Sequence, residues 1–338
     1  MSDFLALMAA GSRARLETAR LSRSEASLLQ TAQAMPPAPR LTTHPARFDL
    51  IAELKLRSPA VGRLKAGTED VAARVTAYAR AGAAAVSVLT EPSHFDGSME
   101  HLGQAIRALA PLSVPAMRKD FLVDPYQIIE ARVAGAGGVL VIIRMLSRSG
   151  IQEMLECARN LGLFVLLEAF DEADIEVMHQ VLTPAIAGAP PGAGSVTAPV
   201  PNGPANAAHA RAANTAAPVL AGLNCRDLAT LQIVPPRLIE LAPSLPTHVP
   251  RVAESGVVTP EDAARVAAAG YELALVGSAL MQGGDPHVLA AAMLDAGRNN
   301  VRVNRDVHGA HVDGDARDVH GAHEADAARD SNRPHRAG

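Results

Sequence analysis

Eight apolar runs of strand length, each followed by a segment of helical periodicity, predict an α/β fold, a (β/α)8 barrel closed on itself. The runs are apolar nearly throughout instead of alternating, as strands covered on both faces are. No glycine-rich fingerprint follows the first run, where an open doubly wound sheet, the main alternative, would usually carry one.

The order of elements begins with an N-terminal helical extension over residues 1–46. Its segment 2–23 reads as a helix, and Met35-Pro-Pro-Ala-Pro39 breaks the pattern. The expected strands are 49–54, 84–89, 114–117, 138–143, 163–167, 218–223, 248–253 and 273–276. The expected helices are 68–82, 98–110, 125–135, 147–162, 171–182, 235–241, 259–270 and about 286–296. Thr259-Pro-Glu-Asp262 shows why a helix starts there: an N-cap, a proline in the first turn and acids facing the positive end of the dipole. The catalytic barrel thus spans 47–297. A low-complexity insertion of Ala, Pro and Gly, about 184–216, falls between the fifth helix and the sixth strand. Residues 298–338 read as a disordered polar tail, in which Asp306-Val-His-Gly-Ala-His311 recurs from Asp318. That repeat brings His308, His311, His320 and His323 close in sequence, a pattern open to metal as well as to plain disorder.

Composition narrows the partners. The formal charge is −4 over 338 residues and tryptophan is absent, so neither a nucleic acid nor a membrane surface is expected. No apolar run is long enough to span a bilayer, and Met1–Ala10 lacks the basic flank of a signal peptide. The two distant cysteines, Cys157 and Cys225, fit a reduced, cytoplasmic compartment. Cys225 reads as a small filler, His94 and His101 as surface residues. A monomer is expected in preference to an obligate oligomer. No zinc-type spacing occurs in the barrel region, and no metal or cofactor is expected there.

Chemistry in such barrels sits at the C-terminal strand ends. The first run ends in Glu53 and Lys55, with Ser58 just beyond, and their i, i+2 spacing points both to one face. The second ends in Thr90-Glu91, the third in Arg118-Lys119-Asp120, the fourth in Arg144 and the fifth in Glu168. The sixth ends in Asn224, Cys225 and Arg226, the seventh in Glu254-Ser255-Gly256 and the eighth in Gly277-Ser278. Both signs of charge at most of the ends describe acids, bases and cations around one pocket. Glu168, closing an apolar run, is expected to be desolvated, which suits a base working near neutrality. Ser255-Gly256 and Gly277-Ser278 fall where barrels commonly hold phosphate. A small phosphorylated substrate follows.

Ile51-Ala-Glu-Leu-Lys-Leu-Arg-Ser-Pro59, Val86-Ser-Val-Leu-Thr-Glu-Pro92, Arg118-Lys-Asp-Phe-Leu-Val-Asp-Pro-Tyr-Gln127 and Gly222-Leu-Asn-Cys-Arg-Asp-Leu228 occur in that order, with Val252-Ala-Glu-Ser-Gly256 and Val276-Gly-Ser-Ala-Leu-Met281 after them. Together they resemble the indole-3-glycerol-phosphate synthase family over roughly 48–296, minus the insertion. The resemblance implies ring closure, decarboxylation and dehydration of 1-(2-carboxyphenylamino)-1-deoxyribulose 5-phosphate, on the route to tryptophan. It implies Lys119 as general acid, Lys55 as partner of the substrate carboxylate sharing acid duty, and Glu168 as base of the dehydration. Glu53 and Asn224 would orient these groups. Ser58, Ser255, Gly256, Gly277 and Ser278 would hold the phosphate, and Phe95, Phe121, Leu140 and Ile142 would wall the aromatic ring. Arg226 and Glu254 complete the expected substrate site.

Three departures from the family stand out: Ser58-Pro-Ala-Val-Gly62 lacks a loop lysine at Val61, Ala134-Gly-Ala-Gly137 replaces Ala-Gly-Ala-Asp, and the N-terminal segment is short and divergent. None removes a proposed catalytic residue. A different sugar-phosphate barrel enzyme, such as a phosphoribosyl isomerase, and a non-catalytic paralogue are the competing expectations.

Overall fold

A computed structural model of the chain describes residues 3–43, 48–60, 62–64, 69–183, 218–282 and 284–312, with side chains through Val301. The expected insertion (184–216), Val61, His320 and His323 lie outside the described residues, and no side chain is described for His308 or His311.

The eight barrel strands are β1 Asp49–Leu54, β2 Ala85–Leu89, β3 Ala116–Lys119, β4 Gly138–Ile142, β5 Phe164–Ala169, β6 Val219–Asn224, β7 Arg251–Glu254 and β8 Leu273–Val276. Each pairs in parallel with its sequence neighbours, and β1 pairs with β8, which closes the sheet. Closure excludes the open doubly wound alternative. β1 and β8 keep their expected bounds, while several other strands start or end a few residues later. Thus β3 reaches Lys119 and β5 reaches Ala169, because the ladder follows pairing partners, which apolar composition does not record.

Alternation along the strands divides the core in two. Outward residues such as Leu50, Ala52, Val86, Val139, Val141, Val165, Leu167 and Ala221 pack under the helices. Inward residues, among them Ile51, Met117, Leu140, Phe164, Leu166, Leu220, Val252 and Leu273, fill the barrel. Each such aliphatic side chain stabilises the fold by about 1.5–3 kcal/mol on burial.

The helices are α1 Asp3–Ser22, α2 Glu25–Ala34, α3 Val71–Arg80, α4 Pro92–Phe95, α5 Met99–Leu109, α6 Pro125–Ala134, α7 Arg148–Asn160, α8 Glu172–Leu182, α9 Pro236–Glu240, α10 Pro260–Ala268, α11 Ser278–Gln282 and α12 Pro286–Val312. Thr259 and Asp262 form the reciprocal capping box at the start of α10. Two findings correct the sequence reading. Ser24 caps a second N-terminal helix, α2, ahead of the Met35 break. The last helix also continues past Ala296 to Val312, so 298–312 is helical where a disordered tail was expected.

The extension is bound to the barrel. Leu5, Met8 and Ala9 of α1 join the interior apolar cluster at the barrel mouth, and Leu16 packs with Leu28, Tyr126 and Ile129. Tyr126 Oη donates to the carbonyls of Ala19 and Arg23 at 3.0 and 2.9 Å.

Candidate active site

At the C-terminal strand ends the inward face changes from apolar to charged. One step beyond Ile51 lies Glu53, beyond Met117 lies Lys119, beyond Leu166 lies Glu168 and beyond Val252 lies Glu254. These four converge over the apolar plug, and all three carboxyl residues are buried.

Lys119 is the hub. Its Nζ lies 3.1 Å from Glu53 Oε2 and 3.4 Å from Glu254 Oε2. Lys55 Nζ donates to the other Glu53 oxygen at 2.6 Å, so the i, i+2 pair shares a face as expected. Asn224 Nδ2 donates to Glu168 Oε1 at 2.5 Å, and Asn224 Oδ1 accepts the Arg226 amide at 3.0 Å. Asn224 stands opposite Glu254 in register, and Glu168 opposite Gly222.

Space for the buried carboxylates comes from two glycines. A Cβ on Gly222 would lie 2.3 Å from Glu254 Oε1, and a Cβ on Gly277 would lie 2.4 Å from Glu53 Oε1. A side chain at either position would have to displace the carboxylate beside it.

The electrostatics follow from burial and proximity. Desolvation acts to raise the Glu53 carboxyl, but the Lys119 and Lys55 ammonium groups outweigh it and hold it at about 2. Desolvation acts to lower Lys119, and Glu53, Glu254 and Glu168 together overcome it and push the ammonium well above its ordinary value. Burial raises Glu168. Burial, then the Glu168 charge, pushes Glu254 up to about 8. Near neutrality the cluster therefore holds a charged Lys119, an ionised Glu53 and a proton associated with the Glu168–Glu254 pair.

Above the cluster opens a cavity with about 920 Å³ of empty space, open solvent at its mouth included. Of the expected residues, Glu53, Lys55, Lys119, Glu168, Asn224, Phe95, Phe121, Leu140, Ile142, Arg226, Ser255, Gly256, Gly277 and Ser278 line it. Ser255 (φ 65°) and Gly256 (φ 72°) are successive positive-φ residues in the turn after β7, and Ser278, where α11 begins, lines the same cavity. Two expected residues do not reach the cavity wall. Ser58 is buried in a short hairpin with Gly62, and Glu254 lies beneath Lys119 as its partner.

Three strand-end residues leave the expected ring. Arg144 Nη2 pairs with Asp171 and Asp174 at 2.7 and 2.6 Å, and its guanidinium covers Phe170. Glu91 accepts the amides of Ser93, His94 and Phe95 and so caps α4. Arg118 is buried outside the barrel, donating to Thr90 Oγ1 and the Gln127 carbonyl at 3.2 and 2.9 Å. Strand alternation puts Lys119 on the inner face and Arg118 outside, while Asp120, just past the strand, also borders the cavity. His94 and His101 are half-buried, where surface positions were expected, and the His94 ring packs edge-on against Phe4. Cys225 is fully buried, consistent with a filler.

Phe4, Leu5, Phe170, Leu228 and Ile233 also line the cavity and were not anticipated. For Leu5 a signal existed: Leu5, Met8, Ala9, Ser12 and Leu16 form one helical face of α1, and all are buried. The loop residues Leu228 and Ile233 carry no such periodicity. An Arg226–Ile233 bridge folds their loop back over the mouth.

A family model described as Indole-3-glycerol phosphate synthase matches residues 5–189 and 205–293. The indole-3-glycerol phosphate synthase of Parafrankia sp. (strain EAN1pec) is 37% identical, over 85% of this chain and 93% of its own. That of Bordetella pertussis (strain Tohama I / ATCC BAA-589 / NCTC 13251) is 33% identical, over 87% of this chain and 100% of its own. Among solved structures, 3-hexulose-6-phosphate synthase from Salmonella typhimurium shares the fold alone, with a TM-score of 0.51 at 12% identity over 75% of this chain and 100% of its own. A closed parallel barrel with its ionisable groups crowded at one mouth defines a (β/α)8-barrel enzyme. The chain belongs to the indole-3-glycerol phosphate synthase family. That family places it among the carboxy-lyases of tryptophan biosynthesis, and its substrate is a small phosphorylated molecule. No helix among the described residues is long and apolar enough to cross a membrane.

Proposed function

We propose that this chain converts 1-(2-carboxyphenylamino)-1-deoxyribulose 5-phosphate into indole-3-glycerol phosphate, carbon dioxide and water, with Lys119 as the acid of the first step. The observation that carries the reading is the Lys119 ammonium, facing the cavity and flanked by Glu53 and Glu254.

In this reading the ring carbon bearing the carboxylate attacks the keto carbon. The carbonyl oxygen takes the Lys119 proton and becomes a hydroxyl. Carbon dioxide leaves, and its bonding electrons restore the aromatic ring. The hydroxyl then takes a second proton, supplied by Lys55 in its share of the acid duty, and leaves as water, while Glu168 takes the ring proton whose loss completes the indole. A raised Glu168 pKa suits that task. Proton retention by Glu254 leaves Glu168 free to act as a carboxylate. Lys55, half-buried at the wall, meets the substrate carboxylate, and Glu53 fixes the two ammonium groups. Asn224 orients Glu168.

The phosphate binds at Ser255, Gly256, Gly277 and Ser278, with Ser58 supporting the first loop. The positive-φ turn at Ser255 and Gly256, which lines the same cavity as Ser278, supports this placement. Phe95, Phe121, Leu140 and Ile142 enclose the aryl ring, and Arg226 borders the mouth. The same reading carries a cytoplasmic monomer, supported by two unpaired thiols and by a site assembled within one chain.

The test is direct. Purified protein incubated with the substrate is expected to develop indole fluorescence, and a flat signal would overturn the proposal.

A further inference from the structure

The geometry points to Arg15 of α1 as a positioning residue that builds the aromatic wall of the pocket. This inference rests on the proposed function, since the wall is where the aryl ring of that substrate would lie.

Arg15 sits between the ends of two neighbouring barrel strands. Its Nη2 donates to Asp120 Oδ1 at 2.7 Å, and its Nη1 lies 3.8 Å from Glu91 Oε1. Both carboxylate side chains are only 1% exposed, so the guanidinium meets charges that have lost their water. Each carboxylate in turn holds a wall residue. Glu91 caps α4 and accepts the Phe95 amide at 3.2 Å. Asp120 accepts the Phe121 amide at 2.8 Å and the Thr90 hydroxyl at 2.7 Å, with Arg118 at 3.4 Å on its far side.

A second polar contact fixes the same helix. Ser12, one turn before Arg15, accepts from Gln127 Nε2 at 2.9 Å, and both residues are buried. Apolar packing alone would let α1 slide along its groove, whereas two hydrogen-bonded positions three residues apart set its register. That register brings Phe4 edge-on to Phe121, with centroids 6.0 Å apart and planes at 81°. Phe95 lies 5.9 Å from Phe121. One guanidinium therefore links Phe95 and Phe121 and, through α1, Phe4, three of the four phenylalanines that line the cavity, although Arg15 does not line it.

The experiment compares steady-state kinetics of the full chain with Arg15→Ala, Arg15→Lys, Phe4→Ala and the double variant Arg15→Ala/Phe4→Ala. Losing an aromatic contact of the usual strength should raise KM about five- to tenfold, with a smaller effect on kcat, in each alanine variant. If Arg15 acts through Phe4, the double variant should show a KM within about twofold of the worse single variant. Arg15→Lys should fall between wild type and Arg15→Ala, because one ammonium cannot span both carboxylates. Should Arg15→Ala not fold, Arg15→Gln carries the same expectation. An unchanged KM in Arg15→Ala would overturn the role of Arg15 while wild-type turnover stands, whereas single effects that multiply in the double variant would assign that role to Phe95 and Phe121 in place of Phe4. No turnover in the wild type would instead overturn the functional reading and this inference with it.

Discussion

Lys119 Nζ stands 3.1 Å from Glu53 Oε2, and this ion pair, buried on the Glu53 side, joins the third barrel strand to the first across the floor of the pocket. Each group helps to hold the other's charge, with Lys55 assisting on one side and Glu254 and Glu168 on the other. Desolvation opposes both charges, and the pairing reverses its effect on each.

Lys119→Ala removes the proposed proton donor. Turnover should fall by about 10²–10⁴-fold, the usual contribution of positioned proton transfer, with thermal unfolding confirming a folded protein. Indole fluorescence measures it, and a loss smaller than about tenfold would remove Lys119 from the acid role.

Glu53→Gln keeps the shape and deletes the charge nearest Lys119. With the strongest raising influence gone, the Lys119 pKa moves down. The alkaline limb of the kcat profile should shift to lower pH, and kcat/KM should drop by about 10²-fold. A limb that stays in place would show that Lys119 does not govern it.

The pH dependence of stability has two opposite contributions. The Glu53 pKa is depressed to about 2, so its stabilisation is present above the ordinary carboxyl value of 4.5 and is lost as pH falls towards 2. The Glu254 pKa is raised to about 8, so stability declines as pH rises from 4.5 through about 8. Glu254→Gln should flatten that decline, read as the slope of Tm against pH over this window. An unchanged slope would place the titration elsewhere.

Gly222→Ala tests the slot beside Glu254. The new Cβ would lie 2.3 Å from Glu254 Oε1 and 2.9 Å from Leu166 Cδ1. Overpacking of this kind typically costs about 1–3 kcal/mol, and displacing Glu254 from Lys119 should lower kcat as well. Calorimetry and turnover together decide. A variant as stable and as active as wild type would mean the slot is unused.

How far the site was legible depended on the kind of residue. Glu53, Lys55, Lys119, Glu168 and Asn224 end strands, and strand alternation alone carries them to the inner face. Arg144 and Glu91 also end strands, yet one is held by Asp174 and the other by the amides of α4. Sequence position cannot separate them, because the competing partners lie on elements that only folding brings close. Phe4 was invisible for the same reason: its place in the wall depends on Ser12 and Arg15 meeting groups more than a hundred residues away.

The linear chain by itself determined the eightfold alternation of strand and helix, and with it the closed barrel, since a local period of apolar residues needs no distant information. It also determined which strand ends carry charge. The tertiary structure decided which of those charges share one pocket, which proton each holds, and which helix closes the wall. Those outcomes depend on distances and desolvation between residues far apart in sequence, and neither exists until the barrel has formed.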